Sequence, residues 1–151
     1  MKERDYYPIV ESFFKSRGYY TLVEWLAFPI SKVTPDILAV DPNFSEIITV
    51  EVKLNNFKKA FWQGYTYLAF SDYVYLAFPE RYAYFAIKKY ASIIKKYGLG
   101  IIALMPKVKI LMTPTPSSPD KELKLNLLQK IQKILKTKTY NTSFIKYTLS
   151  P

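Results

Sequence analysis

The stretch Pro35-Asp36-Ile37-Leu38-Ala39-Val40 is followed, after the turn residues Asp41-Pro42-Asn43, by Glu46-Ile47-Ile48-Thr49-Val50-Glu51-Val52-Lys53. Both stretches are short apolar runs, and together they predict two adjacent strands joined by a hairpin. Side chains alternate between the two sides of a strand, so the odd-numbered residues from 47 to 53 share one side. The even-numbered residues from 48 to 54, all of them apolar, share the other side.

Three charged side chains converge where this predicted hairpin ends. Glu51 and Lys53 project from the same side of the second strand, and if the strands pair, Asp36 returns close to Glu51. Burying such charges is costly unless they are paired or coordinate a metal ion. Two hard carboxylate ligands beside one lysine make a Mg²⁺ site suited to phosphodiester hydrolysis. The alternative interpretation is a surface salt bridge at a strand end.

The composition excludes most other hydrolytic sites. With no histidine and no cysteine among 151 residues, the chain cannot form a Ser-His-Asp triad, a zinc finger or a thiol active site. Its four glycines form neither a phosphate loop nor a GxGxxG pattern. The groups that remain for hydrolytic chemistry are carboxylates, lysine, tyrosine and a hard metal ion, Mg²⁺ or Mn²⁺. The charged start of the chain and the absence of a long apolar run predict an intracellular, cytoplasmic protein without a membrane span.

Charge is distributed unevenly along the chain. Residues 1–80 contain 8 Lys and Arg against 10 Asp and Glu, whereas residues 81–151 contain 14 against 2. A basic surface of this size favours a polyanionic partner, and DNA is preferred to RNA as that partner. Eight tyrosines between residues 65 and 97 could stack on unpaired bases, although most are expected in or against the core. The alternative is a lysine-rich solvated surface. The candidate nucleic-acid contacts are Lys58, Lys59, Lys130 and Lys133.

The remaining patterns predict an α/β fold in which helices flank a mixed central sheet. Helices are predicted over residues 5–17, 57–70 and 80–97, and further strands over residues 19–28, 73–78, 99–105 and 108–112. Residues 1–112 would form the core, residues 113–119 a Pro/Ser/Thr loop, and residues 120–151 a basic amphipathic helix and tail. We expect that helix to pack on the same domain, because its apolar side needs cover.

The predicted order of helix, strand, Pro-Asp strand, Glu-x-Lys strand, helix and strand resembles the core of the PD-(D/E)XK phosphodiesterase superfamily. The resemblance covers about residues 3–78. That superfamily includes restriction endonucleases and archaeal Holliday junction resolvases. A narrower likeness to an uncharacterised phosphodiesterase branch rests on residues 5–10 in the first helix, Gln63 in the second, and residues 72–79 and 97–102. The resemblance implies a restriction-endonuclease-like fold.

The resemblance also implies a role for each candidate residue. Asp36, Glu51 and the backbone carbonyl of Val52 would bind Mg²⁺. Lys53 would orient and help deprotonate the attacking water, or neutralise the charge that develops on phosphorus. Gln63 shares a helix side with Lys59 and Tyr67, from which it could reach the phosphate or the lysine; the alternative is a surface glutamine.

Many members of the superfamily add a glutamate from the first helix to the metal site. Three residues could take that role here. Glu3 is favoured because it falls on the inward side of the helix if the first turn reaches it. Glu11 is second and Glu24 third, and Pro8 keeps the choice open because it could start the helix after Glu3.

The function predicted from the sequence is therefore a Mg²⁺-dependent nuclease that cuts DNA. A catalytically silent nucleic-acid-binding module with the same fold is one alternative, and a dimeric, structure-selective resolvase is another. A third is an interaction protein whose basic helix binds an acidic protein. The sequence leaves open whether the nucleic acid is DNA or RNA, whether cleavage is endonucleolytic or exonucleolytic, and whether the chain forms a homodimer.

Overall fold

A computed structural model describes residues 1–25 and 33–141, without the side chains of residues 138–141. It contains a mixed six-stranded sheet flanked by helices, which confirms the predicted α/β class. The chain opens with a short 3₁₀ helix, Glu3–Tyr6. The helices that follow are α1 (Tyr7–Lys15), α2 (Phe57–Tyr67), α3 (Glu80–Lys96) and α4 (Lys121–Asn141). The strands are β1 (Tyr20–Val23), β2 (Ile37–Val40), β3 (Ile47–Val52), β4 (Tyr73–Phe78), β5 (Gly100–Ala103) and β6 (Lys109–Met112).

The strands lie side by side in the order of the sequence. The pairs β1–β2, β2–β3 and β5–β6 are antiparallel, while β3–β4 and β4–β5 are parallel. Antiparallel neighbours need only a short turn, whereas parallel neighbours need a long crossover. α2 and α3 supply the two crossovers, so α2 follows the end of β3 directly.

The two sides of the sheet are covered by different helices. Val10 and Phe14 of α1 belong to the same buried cluster as Ile48, Val50 and Val52 of β3. The opposite side carries α2, α3 and α4, and Ile47 of β3 belongs to that second apolar cluster. The alternation predicted along β3 is therefore confirmed, and both sides of the strand are buried.

α4 contributes to the cluster formed by α2, α3 and the sheet. Leu127, Leu128 and Ile131 are buried in it. An ion pair fastens the start of the helix, because Lys124 Nζ lies 2.8 Å from Asp72 Oδ1 at the beginning of β4. The basic amphipathic helix thus lies with its apolar side in this cluster.

Several predicted element ends were wrong. The first helix begins as a 3₁₀ turn, because Pro8 has no N–H and fits only the first turn of the α-helix that starts at Tyr7. β1 ends at Val23, since Glu24 has φ +46°, and residues 26–28 of the predicted strand lie outside the described residues. α2 ends at Tyr67 rather than at residue 70.

No helix within the described ranges has the length and apolarity needed to cross a membrane.

Candidate metal-dependent hydrolytic site

The register of the β2–β3 hairpin places the two candidate carboxylates opposite each other. Ile37 pairs with Val50, so the register continued by one residue sets Asp36 against Glu51. Both residues are buried: Asp36 retains 9% of its full exposure and Glu51 retains 2%. The turn that sets this register is held by Asp41, whose Oδ1 accepts the backbone N–H groups of Ser45 and Glu46 at 2.8 Å.

Each oxygen of Asp36 accepts one hydrogen bond. The hydroxyl of Tyr7, in the first turn of α1, donates to Oδ1 at 2.6 Å. The backbone N–H of Val52, beside Glu51 in β3, donates to Oδ2 at 2.7 Å. Asp36 is therefore fixed from both the helix and the neighbouring strand.

Glu51 is held in the same way from the opposite side of the sheet. The hydroxyl of Tyr67, in the last turn of α2, donates to Glu51 Oε1 at 2.6 Å. Lys53 Nζ lies 3.2 Å from Glu51 Oε2, and the Lys53 side chain is only 12% exposed. The carboxylate and the ammonium thus share one strand side, as the strand periodicity predicts.

The electrostatics of the site favour an additional positive charge. Burial, together with the nearby charge of Asp36, raises the pKa of Glu51 to about 7, against the lowering effects of Tyr67 and Lys53. Burial also raises the pKa of Asp36, while the hydrogen bonds from Tyr7 and Val52 lower it. Two buried carboxylates that disfavour each other's ionisation would both be stabilised by a cation between them.

The structure separates the three acids that compete to complete the site. Glu3 Oε1 lies 3.7 Å from Lys53 Nζ, and its Oε2 accepts the N–H of Leu54 at 3.3 Å. Glu11 instead accepts the hydroxyl of Thr21 at 2.6 Å, and Glu24 pairs with Arg4 at 3.4 Å. Glu3 is therefore the acid among the three that touches Lys53.

Gln63 and four lysines are the remaining predicted side chains. Gln63 is one helical turn before Tyr67 on α2, and its buried Oε1 accepts no hydrogen bond from any described residue. Gln63 lies on the side of α2 that faces the site, but it makes no hydrogen bond to Asp36, Glu51 or Lys53. Four predicted nucleic-acid contacts are exposed: Lys58 and Lys59 on α2, and Lys130 and Lys133 on α4.

The donor set fits an open Mg²⁺ or Mn²⁺ site. Within residues 1–25 and 33–141, no three acidic side chains are grouped closely enough to form a metal cage. Mg²⁺ does not need one, because it is commonly held by one or two carboxylates together with water and substrate phosphate. Asp36 and Glu51 would supply the carboxylates, each oxygen retaining one lone pair beyond its present contact. The backbone carbonyl of Val52 is the third predicted ligand.

Sequence reasoning did not identify the two tyrosines that hold the carboxylates. Tyr67 was among the tyrosines considered for base stacking, and this is wrong for Tyr67 because its side chain is fully buried. Tyr7 had no assigned role. The signal that could have identified both tyrosines is their position in the predicted helices. Tyr7 precedes Pro8 in the first turn of α1, and Tyr67 lies on the same side of α2 as Gln63.

Comparisons with known proteins add support for the fold alone. No protein-family model matches the chain, and no curated protein matches it. The chain is similar in structure to the SPO1766 protein of unknown function from Silicibacter pomeroyi. The TM-score is 0.64 with 15% sequence identity, over 95% of this chain and 94% of that chain.

Proposed function

We propose that this chain is a Mg²⁺-dependent nuclease with a restriction-endonuclease-like fold, which hydrolyses phosphodiester bonds of DNA. One observation carries the proposal: the hairpin register sets Asp36 against Glu51, while Lys53 Nζ lies 3.2 Å from the Glu51 carboxylate. The resemblance of residues 3–78 to the PD-(D/E)XK superfamily supports the same chemistry. Such an enzyme would act in the cytoplasm.

The residues of the site would divide the work. Asp36 and Glu51 would hold Mg²⁺, which when bound polarises a phosphate and acidifies water. Lys53 would place its ammonium beside the attacked phosphate, where it orients the nucleophilic water and stabilises the developing negative charge. The phenols of Tyr7 and Tyr67 would keep both carboxylates in a fixed orientation, so that little rearrangement is needed on binding.

A catalytically silent nucleic-acid-binding module is the second candidate. The observation in its favour is that all four oxygens of Asp36 and Glu51 already contact a donor or a cation within the protein. These contacts can hold the two side chains in place without a bound metal ion. The dimeric resolvase stays a prediction from the sequence.

Metal-dependent cleavage decides between the two candidates. Purified protein would be incubated with linear, circular, single-stranded and branched DNA in the presence of Mg²⁺, Mn²⁺, Ca²⁺ or EDTA. We expect cleavage with Mg²⁺ or Mn²⁺ and none with EDTA. DNA binding without cleavage under every metal condition would favour the silent module instead.

A further inference from the structure

α2, and α3 after its first residue Glu80, combine exposed lysines with a lack of acidic residues. No Asp or Glu occurs in residues 54–71, which include α2, or in residues 81–119, which include nearly all of α3. Exposed lysines lie on both helices: Lys58 and Lys59 on α2, and Lys88, Lys89, Lys95 and Lys96 on α3. Such a surface is complementary to a polyanion.

A large aromatic side chain is exposed on the same surface. Trp62 of α2 retains 63% of its full exposure, although tryptophan is usually mostly buried. It is held by edge-on contacts with Phe61 and Tyr65, at ring distances of 5.3 and 5.8 Å. Tyr65 is itself 44% exposed and meets Tyr97, at the end of α3, at 5.5 Å. Two exposed rings are thus supported from below by an aromatic layer.

Lysines border this aromatic cluster from both helices. Lys58 lies one turn before Trp62, on the same side of α2. Lys96 Nζ lies 5.5 Å from the ring of Tyr97. Aromatic rings between lysines, without carboxylates, are the arrangement with which proteins hold single-stranded nucleic acids: bases stack on the rings and phosphates meet the cations.

We infer that the surface formed by Trp62, Tyr65, Lys58 and Lys96 binds a single-stranded segment of nucleic acid by base stacking. Unpaired bases are required because the flat sides of bases within a duplex are already covered by their neighbours. A purely electrostatic site for duplex DNA would use the lysines and leave the exposed indole without a partner. An acidic protein would likewise have no flat π surface to place on Trp62.

The position of the surface relates it to the candidate site. Tyr67, which donates to Glu51, follows Trp62 by five residues on α2, or about 7.5 Å along the helix. That the bound single strand is also the substrate rests on the proposed function. Binding itself does not depend on cleavage, so it is tested in EDTA.

The chain contains two tryptophans, so the Trp25→Phe variant reports on Trp62 alone. Its fluorescence would be titrated in EDTA with a single-stranded thymidine oligomer of about 15 nucleotides, a hairpin duplex and polyglutamate. We expect saturable quenching by the single strand and much less by the duplex. Equal quenching by single strand and duplex, or quenching by polyglutamate alone, would overturn the inference, the latter in favour of an acidic protein partner.

A substitution in the otherwise unmodified chain supplies the second measurement. We expect Trp62→Ala to weaken single-strand affinity about tenfold, measured by anisotropy of a labelled oligomer. Tyr84→Ala is the matched control, because Tyr84 is an exposed aromatic residue of α3, 50% accessible, that lies near Glu80 and Lys109 instead. Unchanged affinity in Trp62→Ala, or an equal loss in Tyr84→Ala, would contradict the assignment of this surface.

Discussion

The chain contains the pattern Glu-x-Lys twice, and the two copies form different structures. Glu51-Val52-Lys53 ends β3, where residues two apart share a side, and the two charges lie 3.2 Å apart. Glu122-Leu123-Lys124 begins α4, where residues two apart do not face each other. Lys124 turns instead to Asp72, at 2.8 Å, and Glu122 is exposed. Whether the glutamate and the lysine of this motif can act together therefore depends on whether the motif lies in a strand or in a helix.

Burial separates the two copies as strongly as geometry does. Glu51 is 2% exposed and has a second carboxylate, Asp36, opposite it, so its charge is costly and open to compensation by a cation. Glu122 lies in the first turn of a helix, where water and the helix dipole both favour its negative charge.

The largest expected effect is loss of cleavage on substitution in the β3 copy. Lys53→Ala or Asp36→Ala should reduce the rate of metal-dependent DNA cleavage by at least about a hundredfold, because the first would remove the cation beside the attacked phosphate and the second a ligand of the metal ion. Glu122→Ala, in the α4 copy, should cleave at the wild-type rate. Purification of all three variants in parallel controls for contaminating nucleases. Wild-type cleavage by Lys53→Ala or Asp36→Ala would show that the assigned site is wrong.

The β2–β3 hairpin and the shared side of Glu51 and Lys53 were predictable because strand periodicity and the turn at Asp41 act over short sequence distances. The hydrogen-bond donors to the two carboxylates were not predictable in this way, because Tyr7 and Tyr67 reach Asp36 and Glu51 from helices on opposite sides of the sheet. Such contacts depend on helix placement, which periodicity does not specify. The end of β1 was not predictable because Glu24 adopts a positive φ, which residues other than glycine rarely do.

The second prediction concerns the pH dependence of stability in the metal-free protein. The pKa of Glu51 is raised from 4.5 to about 7 on folding, mainly by burial. Between these values the folded state keeps a proton that the unfolded state has lost, so the free energy of unfolding falls as pH rises through this window. The full loss above pH 7 is on the order of 3 kcal/mol.

Glu51→Gln removes this titration, so it should gain stability over the wild type as pH rises from about 4.5 to about 7. Urea unfolding in EDTA across that range measures the difference, and Glu122→Gln, which changes the exposed glutamate, should follow the wild-type curve. A constant difference between Glu51→Gln and the wild type at every pH would mean that Lys53 and Tyr67 fully compensate the buried charge.

The third prediction ranks the acids that surround the β3 copy. Glu3→Ala should weaken Mn²⁺ binding about tenfold, because Glu3 is the acid among the three candidates that touches Lys53. Glu11→Ala and Glu24→Ala should bind Mn²⁺ normally, since their carboxylates are engaged by Thr21 and Arg4. Isothermal titration of the three variants decides the order. Normal binding by Glu3→Ala with a loss in either other variant would reverse it.

The fourth prediction concerns the lysines that follow the α4 copy. Reversing the charge of Lys130 and Lys133 to Glu should weaken binding to all DNA sequences alike, since lysine–phosphate contacts carry no base information. The salt dependence of the affinity should flatten by about one unit per lost contact. Reversal of the exposed Lys15 and Lys107, on α1 and the β5–β6 connection, makes the same change in net charge. An equal effect of both double variants would assign the binding to overall charge instead of α4.

The smallest expected effect concerns the stabilising role of the α4 copy itself. Asp72 accepts the Ile47 N–H through one oxygen, while its other oxygen meets Lys124, and both partners of this ion pair are mostly buried. Lys124→Met should therefore lower the free energy of unfolding by about 1 kcal/mol. Glu122→Gln should lower it by a few tenths at most, through a weaker helix-dipole interaction. Urea unfolding at neutral pH measures both changes, and neither variant should alter the cleavage rate of folded protein. A larger loss in Glu122→Gln than in Lys124→Met would contradict the assignment of the stabilising contact to Lys124 and Asp72.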